Sequence, residues 1–119
     1  MKKIMLLEDD ESIRHALEIA FKESGYTLII LETSDKLMNH EMEAPDLFIL
    51  DKQMSGTDGL DICRFIKNSE KFSTVPVIML SANPNIASLA KDAGADNVLE
   101  KPFTLQKLRE KVAGHIGKA

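Results

Sequence analysis

Short apolar runs alternate along this chain with longer stretches in which apolar residues recur at helical spacing. Each run is nearly continuous in apolar character and too short for a helix, which is typical of strands covered on both faces of a parallel sheet. The five predicted strands are KIMLL, TLIIL, LFIL, VPVIML and NVL. Apolar spacing predicts five helices, over about 12–24, 34–42, 58–69, 84–92 and 104–116.

This alternation predicts an α/β fold, a doubly wound five-stranded parallel sheet flanked by five helices. A length of 119 residues fits one domain, and because no linker or repeat divides residues 1–119, no output domain is expected within them. In such sheets the functional crevice lies beyond the carboxyl ends of the strands. The residues that follow each predicted strand are therefore the candidates for chemistry.

Charged and hydroxyl side chains follow four of the predicted strands. Glu8 and Asp9 come after the first strand, Asp51 ends the third, Ser81 ends the fourth and Lys101 follows the fifth. Three carboxylates at one rim would repel one another and resist ionisation unless a cation lies between them. Because all these ligands are oxygens, the pattern favours a hard divalent ion, Mg²⁺ or alternatively Mn²⁺.

A divalent ion at this rim would favour phosphoryl chemistry. It would neutralise an arriving phosphoryl group, whose other oxygens Ser81 and Lys101 could hold. One carboxylate would then attack phosphorus. Asp51 is the best candidate nucleophile because the central strand places it at the floor of the rim, and Gly56 and Gly59 leave room for the backbone to approach a ligand.

Each candidate also has a purely structural interpretation. Glu11 and Ser12 precede a helix, where acids and hydroxyls satisfy free amides and the helix dipole, and we interpret both in that way. Two roles stay open for Asp10, which can cap the helix or serve as a third acid at the rim. Taken alone, Ser81 is typical of a serine in a turn, and Lys101, before a proline, is typical of an exposed surface lysine. Their joint occurrence at successive strand ends favours a site.

The composition argues against several other classes of protein. A net charge of −4 with scattered lysines gives no electrostatic support for direct binding to nucleic acid. The single cysteine, Cys63, cannot form an internal disulfide and favours a reducing compartment. No apolar window approaches the roughly 20 residues of a membrane span, and the N-terminal apolar run is too short for a secretory signal. We therefore expect a cytoplasmic domain without membrane contact.

From end to end the chain resembles the receiver domain of two-component response regulators, including the chemotaxis regulators. The resemblance rests on the segments IMLLEDDESIR, DLFILDKQMSGTDGLD, PVIMLSA and AGADNVLEKPF, in that order. The spacings also agree, since Ser81 is thirty positions after Asp51 and Lys101 is twenty positions after Ser81. The resemblance implies a flavodoxin-like fold with strand order 2-1-3-4-5.

The resemblance also implies how the phosphoryl group is received. Asp51 would be the phospho-acceptor, taking the group from a phosphohistidine of a sensor histidine kinase or a histidine phosphotransfer protein. Ser81 would turn its hydroxyl toward the phosphoryl group, and Lys101 would pair with it. The peptide between Lys101 and Pro102 is often cis in this family. The domain would be a regulatory phospho-acceptor rather than an enzyme, promoting its own Mg²⁺-dependent phosphorylation and dephosphorylation.

A metal-ligand set follows from the same resemblance. Asp9 and Asp51 would ligate Mg²⁺ together with the backbone carbonyl of Gln53, and Glu8 would act through a metal-bound water. Glu8 and Asp9 are aligned as the acidic pair because they directly follow four apolar residues. The pair Asp9 and Asp10 is the rival register.

Phosphorylation would bias the face formed by helix four, strand five and helix five, and so control an unidentified downstream protein, as a monomer or a phosphorylation-dependent dimer. Three departures from the family bear on this switch. Ser55 stands where proline is common, and Val98 stands where a switch aromatic is usual. Gln53 and Asn83 flank the phosphoryl site and would tune the attack of water.

Two other functions stay open at this point. One is a pseudo-receiver, a protein-binding module without phosphorylation, which the complete acid, hydroxyl and lysine set argues against while Val98 and Ser55 leave an opening. The other is a phosphatase acting through an aspartyl phosphate. Enzymes of the haloacid dehalogenase type need a second acid where this chain has Gln53. A flavodoxin-like mononucleotide binder is disfavoured because no phosphate loop follows the first strand.

Overall fold

Strands and helices alternate through the chain in the predicted order. A computed structural model of the protein describes residues 2–22, 24–39, 41–54 and 56–117. Its elements are β1 (Lys3–Leu7), α1 (Glu11–Lys22), β2 (Thr27–Leu31), α2 (Asp35–Met38), β3 (Leu47–Asp51), β4 (Gln53–Met54), β5 (Thr57–Asp58), α3 (Gly59–Asn68), β6 (Val77–Ser81), α4 (Ile86–Asp92), β7 (Asn97–Glu100) and α5 (Leu105–Ile116). The predicted five strands and five helices are confirmed, and the two-residue strands β4 and β5 are additional.

The central sheet contains five parallel strands in the order β2-β1-β3-β6-β7. Because β6 and β7 are the fourth and fifth predicted strands, this order confirms the expected 2-1-3-4-5 topology. In the register of the sheet Leu7 lies beside Leu50, and Asp51 lies beside Leu80. The carboxyl ends of β1, β3 and β6 therefore reach the same edge of the sheet.

Apolar clusters cover both faces of the sheet. On one face, Met5 and Leu7 of β1 belong to a buried cluster with α2, α3 and α4, which contains Cys63. On the other face, Ile4 and Leu6 belong to a cluster with α1 and α5. All residues of β3 and β6 are buried, which explains why their sequences are continuously apolar, rather than alternating, up to the final Asp51 and Ser81. The residues at the ends of these strands are thus held by a packed core.

The second helix is shorter than the sequence predicts. We expected it over about 34–42, whereas α2 spans only Asp35–Met38. Leu37 is its one buried residue, so the segment lacks the second apolar turn that would hold a longer helix against the sheet. His40, which falls within the predicted span of this helix, lies outside the described residues.

The described segments contain no helix with the length and apolar character that crossing a membrane requires.

Candidate metal centre

The acidic turn after β1, which we define as residues 8–10, has carboxylates in two different surroundings. Glu8 is fully buried, and its backbone N–H donates to the carbonyl of Leu31 at 3.2 Å, which extends the pairing of β1 with β2. The carboxylate of Asp10 turns the other way and accepts from the backbone N–H groups of Ser12 and Ile13, at 2.9 and 3.2 Å. In this geometry Asp10 caps the start of α1.

The first turn of α1 shows why the other acids of this segment are present. Ser12, interpreted from the sequence as a capping residue, supplies a backbone donor to Asp10 instead of a capping hydroxyl. Glu11 lies in the first helical turn, where a negative charge is favourable to the helix dipole. The structural interpretation of this segment is therefore supported, with Asp10 as the residue whose side chain makes the cap.

Three carboxylates converge at the edge of the sheet. Asp51, at the end of β3, is only 4% exposed. Ligand oxygens of Glu8, Asp9 and Asp51 all lie within 4.8 Å of one another, and within the described residues this is the group with metal-binding potential. The arrangement brings Glu8 and Asp9 together as the acidic pair and leaves Asp10 outside the group. A set of carboxylate oxygens alone suits a hard divalent cation such as Mg²⁺.

Lys101 joins this cluster from the end of β7. Its Nζ lies 2.8 Å from Oδ1 of Asp51 and 3.5 Å from Oε1 of Glu8. Its backbone N–H donates to the carbonyl of Ser81 at 2.8 Å, which joins the ends of β6 and β7. The peptide between Lys101 and Pro102 is cis, as the resemblance to receiver domains implies. The ammonium is thus aimed at the carboxylate of the central strand.

Ser81 and Asn83 form the side of the site next to β6. Ser81 is buried, and its Oγ accepts from the backbone N–H of Asn83 at 3.0 Å. The side chain of Asn83 is exposed, and its Oδ1 accepts from the backbone N–H of Asn85 at 2.9 Å. Because Oγ of Ser81 accepts that bond, its hydroxyl proton remains free to be donated to a ligand.

The charges at the rim alter the ionisation of two groups. Burial, the hydrogen bond with Asp51 and the negative charge of Asp51 together raise the pKa of Glu8 to about 7, although Lys101 opposes the change. Partial burial disfavours the charge of Lys101, but the hydrogen bond and the charges of Asp51 and Glu8 outweigh it and raise its pKa. Lys101 therefore stays charged, but its single positive charge faces three carboxyl groups.

The loop after Asp51 is held by backbone contacts. Gln53, which is exposed, and Met54 pair with β5 in a two-residue hairpin that no sequence pattern indicated. The N–H of Lys52 donates to the carbonyl of Leu80 at 2.8 Å, and its Nζ pairs with Asp58 at 3.1 Å. The ammonium of Lys52 thus pairs with Asp58, which is not a member of the acidic cluster. Ser55 lies outside the described residues.

Gly59 explains how α3 approaches Asp51 so closely. A Cβ at Gly59 would lie 2.3 Å from the carbonyl oxygen of Asp51 and 2.8 Å from Cα of Lys52. The N–H of Gly59 also donates to the carbonyl of Lys52 at 2.9 Å. Asp58 caps α3 by accepting from the N–H of Leu60 at 2.8 Å. A side chain at this position would displace the backbone of Asp51.

Comparison with known proteins decides the family. A family model described as the response regulator receiver domain matches residues 4–113. The chain belongs to this family. It is therefore a receiver domain of the two-component signalling systems, and its cluster of acidic residues fits a metal and phosphorylation site.

Relatives of this receiver domain occur in several bacteria. Protein PilG of Pseudomonas aeruginosa is 32% identical over 117 residues, which cover 96% of this chain and 87% of PilG. The KDP operon transcriptional regulatory protein KdpE of Escherichia coli is 36% identical, over 94% of this chain and 50% of KdpE. The transcriptional regulatory protein CseB of Streptomyces coelicolor is 36% identical, over 84% of this chain and 43% of CseB. The chain thus spans about half the length of the two transcriptional regulators.

Solved structures share the fold of this receiver domain. The receiver domain of a sensor histidine kinase from Pseudomonas aeruginosa superposes with a TM-score of 0.87 at 25% identity, covering 98% of both chains. That structure has a magnesium ion coordinated in its active-site cleft. The signal receiver domain of a histidine kinase from Syntrophus aciditrophicus gives a TM-score of 0.87 at 26% identity, covering 98% of this chain and 90% of the other.

Val98 lies on the side of the receiver domain formed by α4, β7 and α5. It is half-buried and packs against the apolar cluster of α3 and α4. A cavity of about 260 Å³ lies beside it, lined also by Ile86 and Ala87 of α4 and by Lys107 and Lys111 of α5. The position that is usually aromatic in this family is therefore occupied by a small side chain next to open space.

Arg14 contacts the acidic turn without any signal in the sequence that marks it. Its guanidinium lies behind the acidic turn and donates to backbone carbonyls of that turn. An arginine on an amphipathic helix carries no pattern that identifies such contacts, because backbone acceptors are the same in every residue. Only the three-dimensional course of the turn reveals them.

Proposed function

We propose that this receiver domain, within residues 1–119, accepts a phosphoryl group on Asp51 from a phosphohistidine in a Mg²⁺-dependent reaction. One observation carries the proposal above all others. The carboxylates of Glu8, Asp9 and Asp51 converge within 4.8 Å, and Lys101 Nζ lies 2.8 Å from Asp51. The donor would be a sensor histidine kinase or a histidine phosphotransfer protein.

The metal would be held by residues from two strand ends. Asp9 and Asp51 would bind the ion, Glu8 would act through a metal-bound water, and we propose the backbone carbonyl of Gln53 as a further ligand. When bound, a divalent cation supplies positive charge that neutralises the phosphoryl oxygens and the clustered acids. Mg²⁺ fits this oxygen-only set, and Mn²⁺ is the alternative.

The transfer itself would use the nucleophilicity of a carboxylate. An oxygen of Asp51 attacks phosphorus, and the bond between phosphorus and the donor imidazole nitrogen breaks. The electron pair of that bond returns to the imidazole, which leaves as a neutral ring with the proton that it carries on its other nitrogen. The product is an acyl phosphate on Asp51 and an unmodified histidine.

Two further side chains would hold the transferred group. The ammonium of Lys101, which now pairs with Asp51, would pair with a phosphoryl oxygen, and the hydroxyl of Ser81 would donate to another. Gln53 and Asn83 are exposed beside the site and would tune how water reaches the acyl phosphate. The positions of Ser81 at the end of β6 and of Lys101 directly after β7 support these two contacts with the phosphoryl group.

The response would pass to a partner protein through the face formed by α4, β7 and α5. Ser81 and Lys101 are joined by a backbone hydrogen bond of 2.8 Å, so a shift of one displaces the other. Because Val98 is small, we propose that movement of this backbone carries the change in place of an aromatic side chain. The net charge of −4 supports a protein partner rather than direct nucleic-acid contact by this domain.

Intact mass measured after incubation with acetyl phosphate and Mg²⁺ tests the proposal, with Asp51→Asn as the matched control. One added phosphoryl group that requires Mg²⁺ and is absent from the variant would support it. No adduct on the unaltered chain, and no complex with beryllofluoride, would overturn it in favour of a pseudo-receiver. Repeated hydrolysis of a phosphomonoester would instead indicate a phosphatase.

A further inference from the structure

The guanidinium of Arg14 lies against the backbone of the acidic turn. Its Nη1 donates to the carbonyl oxygens of Asp9 and Glu8, at 3.1 and 3.4 Å. Its Nη2 lies 3.5 Å from Oε1 of Glu32, just after β2. The side chain of Arg14 is 16% exposed whereas that of Glu32 is 71% exposed. The contacts with the turn are thus the shielded ones, and the ion pair with Glu32 is at the surface, where such pairs contribute little.

These contacts complete the restraints on the turn. Glu8 is already fixed on its N–H side by the carbonyl of Leu31, and Asp10 is fixed by its capping bonds to α1. The carbonyls of Glu8 and Asp9 lie between these two fixed points, and Arg14 holds both of them. The direction in which the two carboxylates project from this turn depends on the orientation of that backbone.

We propose that Arg14 is a positioning residue for the metal centre, which holds the backbone of Glu8 and Asp9 so that their carboxylates meet that of Asp51. The inference rests on the function proposed above. Arg14 would touch neither the metal nor the phosphoryl group. Its effect would pass through the two carbonyl oxygens, as with residues that orient metal ligands from behind.

Charge and positioning predict opposite effects of removing Arg14. A guanidinium beside a cation site repels the incoming ion, so on charge alone its loss should tighten metal binding. If Arg14 instead holds the ligands in place, its loss should weaken binding because the carboxylates no longer converge before the metal arrives. The sign of the change therefore separates the two roles.

Direct binding of Mn²⁺, measured from the electron paramagnetic resonance signal of the free ion, tests the proposal without any activity assay. We expect Arg14→Met to weaken binding about tenfold, the lower end of effects seen for groups that orient metal ligands. Arg14→Lys should lie between, since an ammonium keeps the charge but lacks the planar fork of donors. Arg64→Met is the matched control, because Arg64 is exposed and pairs only with Asp61 among the ion pairs of the described residues. It should bind Mn²⁺ as tightly as the unaltered chain or slightly more tightly.

Urea unfolding without metal shows whether each variant is folded. Binding by folded Arg14→Met that equals or exceeds that of the unaltered chain would overturn the proposal. If that variant does not fold, Arg14→Lys decides in the same way. No Mn²⁺ binding by the unaltered chain would overturn the proposed metal site itself and this inference with it, an outcome distinct from failure of the arginine variants alone.

Discussion

A methyl group added at Gly59 should move the backbone of Asp51, the proposed phospho-acceptor. The new Cβ would lie 2.3 Å from the carbonyl oxygen of Asp51 and 2.8 Å from Cα of Lys52, and both neighbours are backbone atoms that cannot rotate away. Where no contact interferes, replacing glycine by alanine stabilises a protein by about 0.4–1 kcal/mol. Overpacking of this kind costs about 1–3 kcal/mol. We therefore expect Gly59→Ala to lower the free energy of unfolding.

Gly114→Ala is the matched control for this prediction. Gly114 lies inside α5, and among the described residues a Cβ there would meet no atom within 4 Å beyond its own stretch of helix. The same substitution should raise the free energy of unfolding by about 0.5–1 kcal/mol, because alanine is the better helix former. Opposite signs at the two glycines would attribute the loss at Gly59 to its contact with Asp51.

Urea unfolding followed by circular dichroism gives the stability of both variants, provided that the slope with urea is unchanged. Phosphorylation by acetyl phosphate should slow in Gly59→Ala, since the displaced carbonyl belongs to Asp51, and should be unaltered in Gly114→Ala. A Gly59→Ala protein as stable as the unaltered chain would refute the argument. It would mean that the backbone of Asp51 and Lys52 moves away from the methyl group with no loss of stability.

Three further predictions concern titration and burial. In EDTA, the free energy of unfolding should fall by up to about 3 kcal/mol as pH rises from about 4.5 to about 7, because the folded state keeps the Glu8 proton that the unfolded state releases. Urea titrations at several pH values measure this fall. If a Glu8→Gln protein shows the same fall, Glu8 is not the group that causes it. Burial raises the pKa of Cys63 to about 11, so a disulfide reagent should label it only after unfolding, and fast labelling of the native protein would argue against the buried position. Lys101→Met should lower the free energy of unfolding by about 1–3 kcal/mol at neutral pH, because Asp51 and Glu8 lose their ion pairs with the lysine. In a thermal melt, Mg²⁺ should restore part of the lost stability. Equal stability with and without the lysine would refute this prediction.

The sequence was sufficient to predict which side chains meet at the edge of the sheet. Asp51 and Lys101 could be placed because apolar runs mark where strands end, and parallel strands bring those ends together. Asp10 could not be assigned, since an acid in that position can cap a helix or face the rim, and only the course of the turn decides.

Other features left no signal in the sequence. The contact of Arg14 with two carbonyls depends on the shape of a turn and not on any spacing of residues. The hairpin of β4 and β5 is too short to produce an alternating pattern. The predicted end of α2 is wrong because a short helix depends on tertiary packing, and α2 has only Leu37 buried against the core.

The contacts of Lys101 have a consequence for how the domain becomes competent during synthesis. Its ammonium meets Asp51 from 50 positions away along the chain and Glu8 from 93 positions away. Contacts so distant in sequence form only when the intervening strands have assembled, and chains dominated by them fold slowly. While β7 and the lysine that follows it are still inside the ribosome, the nascent chain would have Glu8 and Asp51 without Lys101. The group of acids and lysine that we propose for phosphoryl transfer is therefore complete only once the whole sheet has assembled.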